Sequence, residues 1–148
     1  MILTPRLPVL LAGLMLAAPA LAAPPVVTET TGPVADVVAA IEDEIVNAGL
    51  VVEGHLLIGD MLSRTKADVG GTKEIFTDAE MFTFCSATVS RAVMERDPSN
   101  IQFCPYSIYV YETADAPGKV IVGHPDYAAH GVPEVSELIE KIVKAAVE

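Results

Sequence analysis

The chain has 148 residues, with 9 Lys and Arg against 20 Asp and Glu, a formal net charge of −11 and no tryptophan. That balance repels nucleic-acid phosphates and anionic lipid, which excludes both as expected partners. The length suits one domain, of a size that buries roughly two-thirds of the surface its unfolded chain exposes.

Residues 1–22 read as a secretory signal peptide. Arg6 is the only charged side chain before Glu29, the apolar run Val9 to Leu16 follows it, and Ala20-Leu21-Ala22 is a small-x-small cleavage site. One arginine rather than a pair indicates general export. The run is too short for a transmembrane span, and no later segment is apolar enough to be one. Cleavage after Ala22 would leave a periplasmic or secreted single domain over residues 23–148. Loss of Arg6 makes that domain one unit more acidic than the whole chain.

After a proline-led tail, Val26 to Thr28 has strand propensity. Gly32-Pro33 opens a helix in which Val34, Val37, Val38, Ile41 and Ile45 recur at helical spacing, and Gly49 is placed to end it. Leu50 to Ile58 reads as a strand and Met61 to Asp68 as a short helix capped by Asp60. Thr72 to Glu80 reads as irregular. Met81 to Cys85 alternates as a strand with Phe82 and Phe84 on one face. Ser86 can cap a helix from Ala87 to Arg96, which Asp97-Pro98 stops.

Ile101 to Thr113 reads as the longest strand. It places Cys104, Tyr106, Ile108 and Val110 on one face and Tyr109 and Tyr111 on the other. Asp115 to Gly118 turns it back into a strand from Lys119 to His124, and Pro125 to Gly131 is a loop. Pro133 opens a last helix with Val135, Leu138, Ile139 and Ile142 on its stripe and Glu137–Lys141 and Glu140–Lys144 as expected pairs. The order β-α-β-α-β-α-β-β-α, with a hairpin near its end, predicts an α+β domain: one mainly antiparallel sheet with helices packed on one face.

The stretch from Phe84 to Thr113 holds both cysteines. In an oxidising compartment Cys85 and Cys104 can form a structural disulfide, which would contribute about 3 kcal/mol by loop closure. They can also serve as a redox or ligand pair, or stand apart as small core residues. Their spacing is not C-x-x-C, so thioredoxin-like exchange has no motif support. Cys85 precedes a helix, a position that favours thiolate. Arg91 can hold such an anion or pair with Glu95 on its own helix.

His55, Met61, Met81, Cys85, Met94 and Cys104 are donors that copper(I) or haem iron accepts, yet none stands at diagnostic metal spacing. Methionines also fill core gaps. His124, His130 and Asp126 lie in or beside one loop; a His–Asp pair there can act as a general base, though a solvated loop is the plainer reading. No catalytic motif is assembled, so the expectation leans away from an enzyme.

H-L-L-I-G-D-M-L-S-R-T-K-A-D-V-G-G from His55, with F-C-S-A-T-V-S-R-A-V-M-E-R-D-P-S-N-I-Q-F-C-P-Y-S-I-Y-V-Y-E-T from Phe84, resembles an exported branch of the bacterial and archaeal family named domain of unknown function 302. Lys66 departs from the glycine that often follows R-T in that branch. The resemblance implies a compact α+β domain, often homodimeric, with no settled activity. The expected function is an exported binding or interaction module built around the cysteine-flanked helix. A thiol redox or sulfur-handling protein and a copper- or haem-binding carrier are the alternatives. Candidate pocket residues are His55, Met61, Arg64, Arg91, Met94 and Tyr106, for a small ligand of unspecified class; Tyr109 and Tyr111 are candidates for a dimer contact.

Overall fold

Five strands pair into one antiparallel sheet: β1 (Val26–Thr30), β2 (Val51–Leu57), β3 (Phe76–Cys85), β4 (Tyr106–Thr113) and β5 (Val120–His124), in spatial order β1-β5-β4-β3-β2. The structure is a computed structural model and describes residues 23–148; the expected signal peptide lies outside the described residues. Helices α1 (Val34–Asn47), α2 (Ile58–Thr65), α3 (Ala87–Arg96) and α4 (Pro133–Val147) complete the α+β order expected from the sequence.

The core lies between the sheet and the layer of α1, α3 and α4. Register sets Phe82 opposite Ile108, Phe84 opposite Tyr106 and Val110 opposite Val122, and all six are buried. Ile41 and Ile45 of α1, Val93 of α3 and Ile139 of α4 close over them with no exposed surface. Each such side chain stabilises the fold by about 1.5–3 kcal/mol relative to leaving it in water. Helix α1 buries Val37, Val38, Ile41 and Ile45. It ends where Gly49 takes φ +76° and Leu50 N–H donates to the Ile45 carbonyl at 3.2 Å. Helix α2 packs against β3 at one corner, so closely that a Cβ on Gly59 would fall 2.8 Å from the Ala79 nitrogen.

Several boundaries differ from the sequence reading. β3 begins at Phe76, within the stretch expected to be irregular. Its acidic residues conceal the strand, and pairing of Phe76 to Glu80 with β4 satisfies the backbone across a bulge between Phe76 and Asp78. β4 begins at Tyr106 rather than Ile101, because Pro98–Phe103 winds into a 3-10 turn. That turn is held by Asp97, whose carboxylate accepts from Ser99 N–H at 2.9 Å, and by Asn100, whose amide donates to the Val93 carbonyl at 2.8 Å. Helix α2 starts at Ile58 with no side-chain cap, so Asp60 lies inside its first turn. On α4, Lys144 pairs with Glu148 at 3.5 Å rather than with Glu140.

Candidate functional site

The chain between the two cysteines is a strap across one end of the sheet. Cys85 ends β3. Ser86 then caps α3 by accepting from Val89 N–H at 3.3 Å. After α3 and the 3-10 turn, Cys104 lies just before β4, and Phe84 and Tyr106 are direct partners in the β3–β4 ladder. The two sulfurs are therefore delivered to the same end of adjacent strands, where Cys85 and Cys104 form a disulfide with Cα atoms 6.2 Å apart. That separation lies inside the usual range for such bridges. The described residues contain no free thiol.

The strap is also tied at its far end. Arg96 grips Glu134 through its two terminal guanidinium nitrogens, at 2.6 and 3.3 Å, and donates to the Gly131 carbonyl at 3.1 Å, joining α3 to the start of α4. The Arg96 hydrogen bond holds the Glu134 carboxyl below its ordinary range.

The six pocket candidates are placed in three environments. Tyr106 is buried beneath the strap, its hydroxyl 2.8 Å from Ser90 Oγ, and burial pushes its phenol up. Met94 is partly buried against the same core. Arg91 is on the solvent face of α3, paired with Glu95 at 2.8 Å. His55 belongs to edge strand β2, pairs with Glu80 and stacks on Phe82 with ring centroids 4.3 Å apart. Met61 and Arg64 are exposed on α2. The fold thus brings Tyr106 and the disulfide together under α3, where Ser90 lies beside both, and keeps His55, Met61 and Arg64 with β2 and α2. Among the described residues no three His, Cys, Asp or Glu side chains gather in an arrangement that could hold a metal ion, and no helix is long and apolar enough to cross a membrane.

The loop after β5 is exposed at Pro125 and from Ala128 to Gly131, as a solvated loop would be, but turns inward at Tyr127. His124 and Tyr127 are 2 % and 4 % exposed, and the Tyr127 hydroxyl accepts from Ser107 N–H at 3.0 Å. Asp126 is used locally, accepting from Ala129 N–H at 2.9 Å, and His124 Nδ1 lies 2.8 Å from the Pro125 carbonyl oxygen, so no His–Asp pair forms. His124 ends β5, where it follows Val120 and Val122 on the buried face of the strand.

Two surfaces stand out once the core is assigned. On the sheet face away from α1, α3 and α4, Tyr109 lies across Gly123: a Cβ there would fall 2.5 Å from the tyrosine ring. Tyr111 stacks beside Tyr109 at 6.1 Å, with Phe76 edge-on to it at 5.4 Å. Val27 and Leu56 are exposed on the same face at 51 % and 42 %. An apolar hollow of about 220 Å³ lies between Ile58, Met81, Tyr109 and Tyr111. Burial raises the Tyr109 phenol, and neighbouring Tyr111 adds to the shift. On the helical face, a second cleft of about 270 Å³ opens between β1, β5 and α4 and is lined by His124.

Comparisons with known proteins agree with this architecture. The family model described as "Domain of unknown function DUF302" matches residues 26–148. No curated protein matches the chain. Among solved structures, the crystal structure of an uncharacterized conserved DUF302 protein from Bacillus stearothermophilus superposes with a TM-score of 0.61 at 15 % identity, covering 83 % of this chain and 94 % of that one. At that identity the likeness establishes the shared fold.

Proposed function

This chain belongs to the family of domain of unknown function DUF302, and on that premise we propose that it is an exported interaction module, pinned by a disulfide, that pairs with a second copy through the uncovered face of its sheet. The observation that carries the reading is the composition and shape of that face. Tyr109 lies flat on Gly123 and stacks on Tyr111, with exposed Val27 and Leu56 toward the two edges. Aromatic residues and methionine are enriched at interface cores and charged residues depleted. A sheet face with few projecting charges also suits sheet-on-sheet packing. A two-fold axis would set the same patch against itself and cover the hollow beside Met81 on both copies. The Cys85–Cys104 bridge supports the exported setting, since disulfides persist in oxidising compartments.

Light scattering after size exclusion, across a range of protein concentrations, tests the pairing. The wild-type protein is expected at twice the monomer mass, and Val27→Lys or Leu56→Lys at the monomer mass with unchanged circular dichroism. A monomer at every concentration would sink the self-association reading. Mass spectrometry of the protein recovered from the periplasm or medium tests export; an intact Met1 end on a cytoplasmic protein would overturn it.

A further inference from the structure

We propose that the Cys85–Cys104 bridge is the substrate of a dithiol protein, which docks on the apolar rim of the bridge and reduces it while the domain stays folded. The site lies at one end of the sheet and stands whether or not two copies pair. Both cysteines are partly buried rather than sealed in the core. Val51, the cross-strand partner of Cys85, is 72 % exposed. Ile101, whose carbonyl accepts from Cys104 N–H at 3.1 Å, is 66 % exposed. Pro105, next to Cys104, is open to solvent as well. The bridge is thus bordered by aliphatic surface that the domain itself leaves uncovered. The stretches that carry the sulfurs are also free of charge. On a chain of net charge −11, no charged residue stands from Met81 to Ser90 or from Pro98 to Tyr111. The first charges beyond them on α3, Arg91 and Glu95, pair with each other at 2.8 Å. A thiolate is an anion, and an acidic surface repels it; these stretches add no such repulsion.

The surroundings of the bridge also suit exchange in the folded state. The Ser86 cap, the Asn100 amide on the Val93 carbonyl and the Arg96–Glu134 grip hold the strap without the sulfurs. Opening the bridge therefore leaves the strap in place. The partner's thiolate attacks Cys85 Sγ, the sulfur beside Val51, and the bond between the two sulfurs of this chain breaks. Cys104 Sγ leaves as a thiolate beside the Ser90 hydroxyl, which donates to it across 3.9 Å and lies 2.8 Å from the Tyr106 hydroxyl. A stabilised leaving thiolate speeds exchange. The partner's second thiolate then attacks the partner's own sulfur in the mixed disulfide and releases Cys85. The partner ends as a disulfide, two electrons pass to this chain, and the partner's two thiol protons end on Cys85 and Cys104. This chain is the recipient in the exchange and so needs no C-x-x-C of its own.

The test uses the oxidised mature protein in native buffer, with reduced thioredoxin as the protein dithiol and dithiothreitol as the small one. Alkylation and intact mass count the thiols formed. Thioredoxin is expected to reduce the wild type at least about tenfold faster than dithiothreitol at equal dithiol concentration, with native circular dichroism throughout. Val51→Glu and Ile101→Glu should each slow thioredoxin by about tenfold and leave dithiothreitol within about twofold of its wild-type rate. Ser90→Ala should slow both reagents by about threefold, because the leaving thiolate loses its donor. No reduction of the folded protein by thioredoxin, reduction no faster than by dithiothreitol, or both rim variants without effect on thioredoxin would each overturn the proposal. Wild-type rates for Ser90→Ala would overturn Cys104 as the leaving thiolate. If Ser90→Ala fails to fold, the two rim variants decide the matter, since both replaced side chains are exposed.

Discussion

Removal of the Cys85–Cys104 bridge is the perturbation whose size follows most directly from the fold. The cysteines are 19 positions apart, so the chain-entropy relation assigns the bridge about 3.3 kcal/mol at 25 °C. For a domain of roughly 125 residues, with an unfolding entropy near 0.26 kcal/mol/K, this is a fall in melting temperature of about 12 °C. The double replacement Cys85→Ser/Cys104→Ser isolates that effect. Both positions are partly buried rather than sealed in the core, and Ser90 Oγ lies 3.9 Å from Cys104 Sγ, so a serine hydroxyl there has a polar neighbour. The native strap should survive, because the Ser86 cap, the Asn100–Val93 bond and the Arg96–Glu134 grip do not depend on sulfur. Urea unfolding of oxidised wild type, reduced wild type and the double variant provides the assay. The last two should coincide at a lower midpoint, with native far-ultraviolet circular dichroism retained in all three before the transition. A double variant within about 1 kcal/mol of the oxidised protein would refute the claim that the bridge acts by constraining the unfolded loop.

Gly123→Ala should displace the Tyr109 ring, which lies where the new methyl must go; at this partly open face the cost is about 1 kcal/mol, read by denaturant unfolding together with tyrosine fluorescence. Ser86→Ala removes the acceptor for Val89 N–H and should cost about 1 kcal/mol, with faster hydrogen exchange confined to the first turn of α3. The Glu134 carboxyl is held below its ordinary 4.5 by the Arg96 hydrogen bond. A depressed folded value means that its stabilisation is complete above the unfolded value and is lost as pH falls through the folded one. The stability difference between wild type and Glu134→Gln should therefore be constant from neutrality to about pH 5 and shrink below about pH 4, as measured by urea midpoints along that series.

Much of this architecture follows from local chemistry that a linear reading captures. The valine and isoleucine spacing of α1, the stop at Gly49, the Ser86 cap and the proline that opens α4 are decided by dihedral preferences and nearest neighbours, and each stands where the sequence places it. Family membership rests on the same linear pattern. Local chemistry does not extend to pairing. Phe76 to Glu80 becomes strand because β4 supplies backbone partners, a benefit no propensity scale contains. The two sulfurs join because antiparallel β3 and β4 return the strap to its starting edge. His124 loses solvent only when α4 and Tyr127 close around it. Periodicity records which side chains share a face of one element; which faces meet, and which polar atom is left without a partner when they do, is settled by the packed whole.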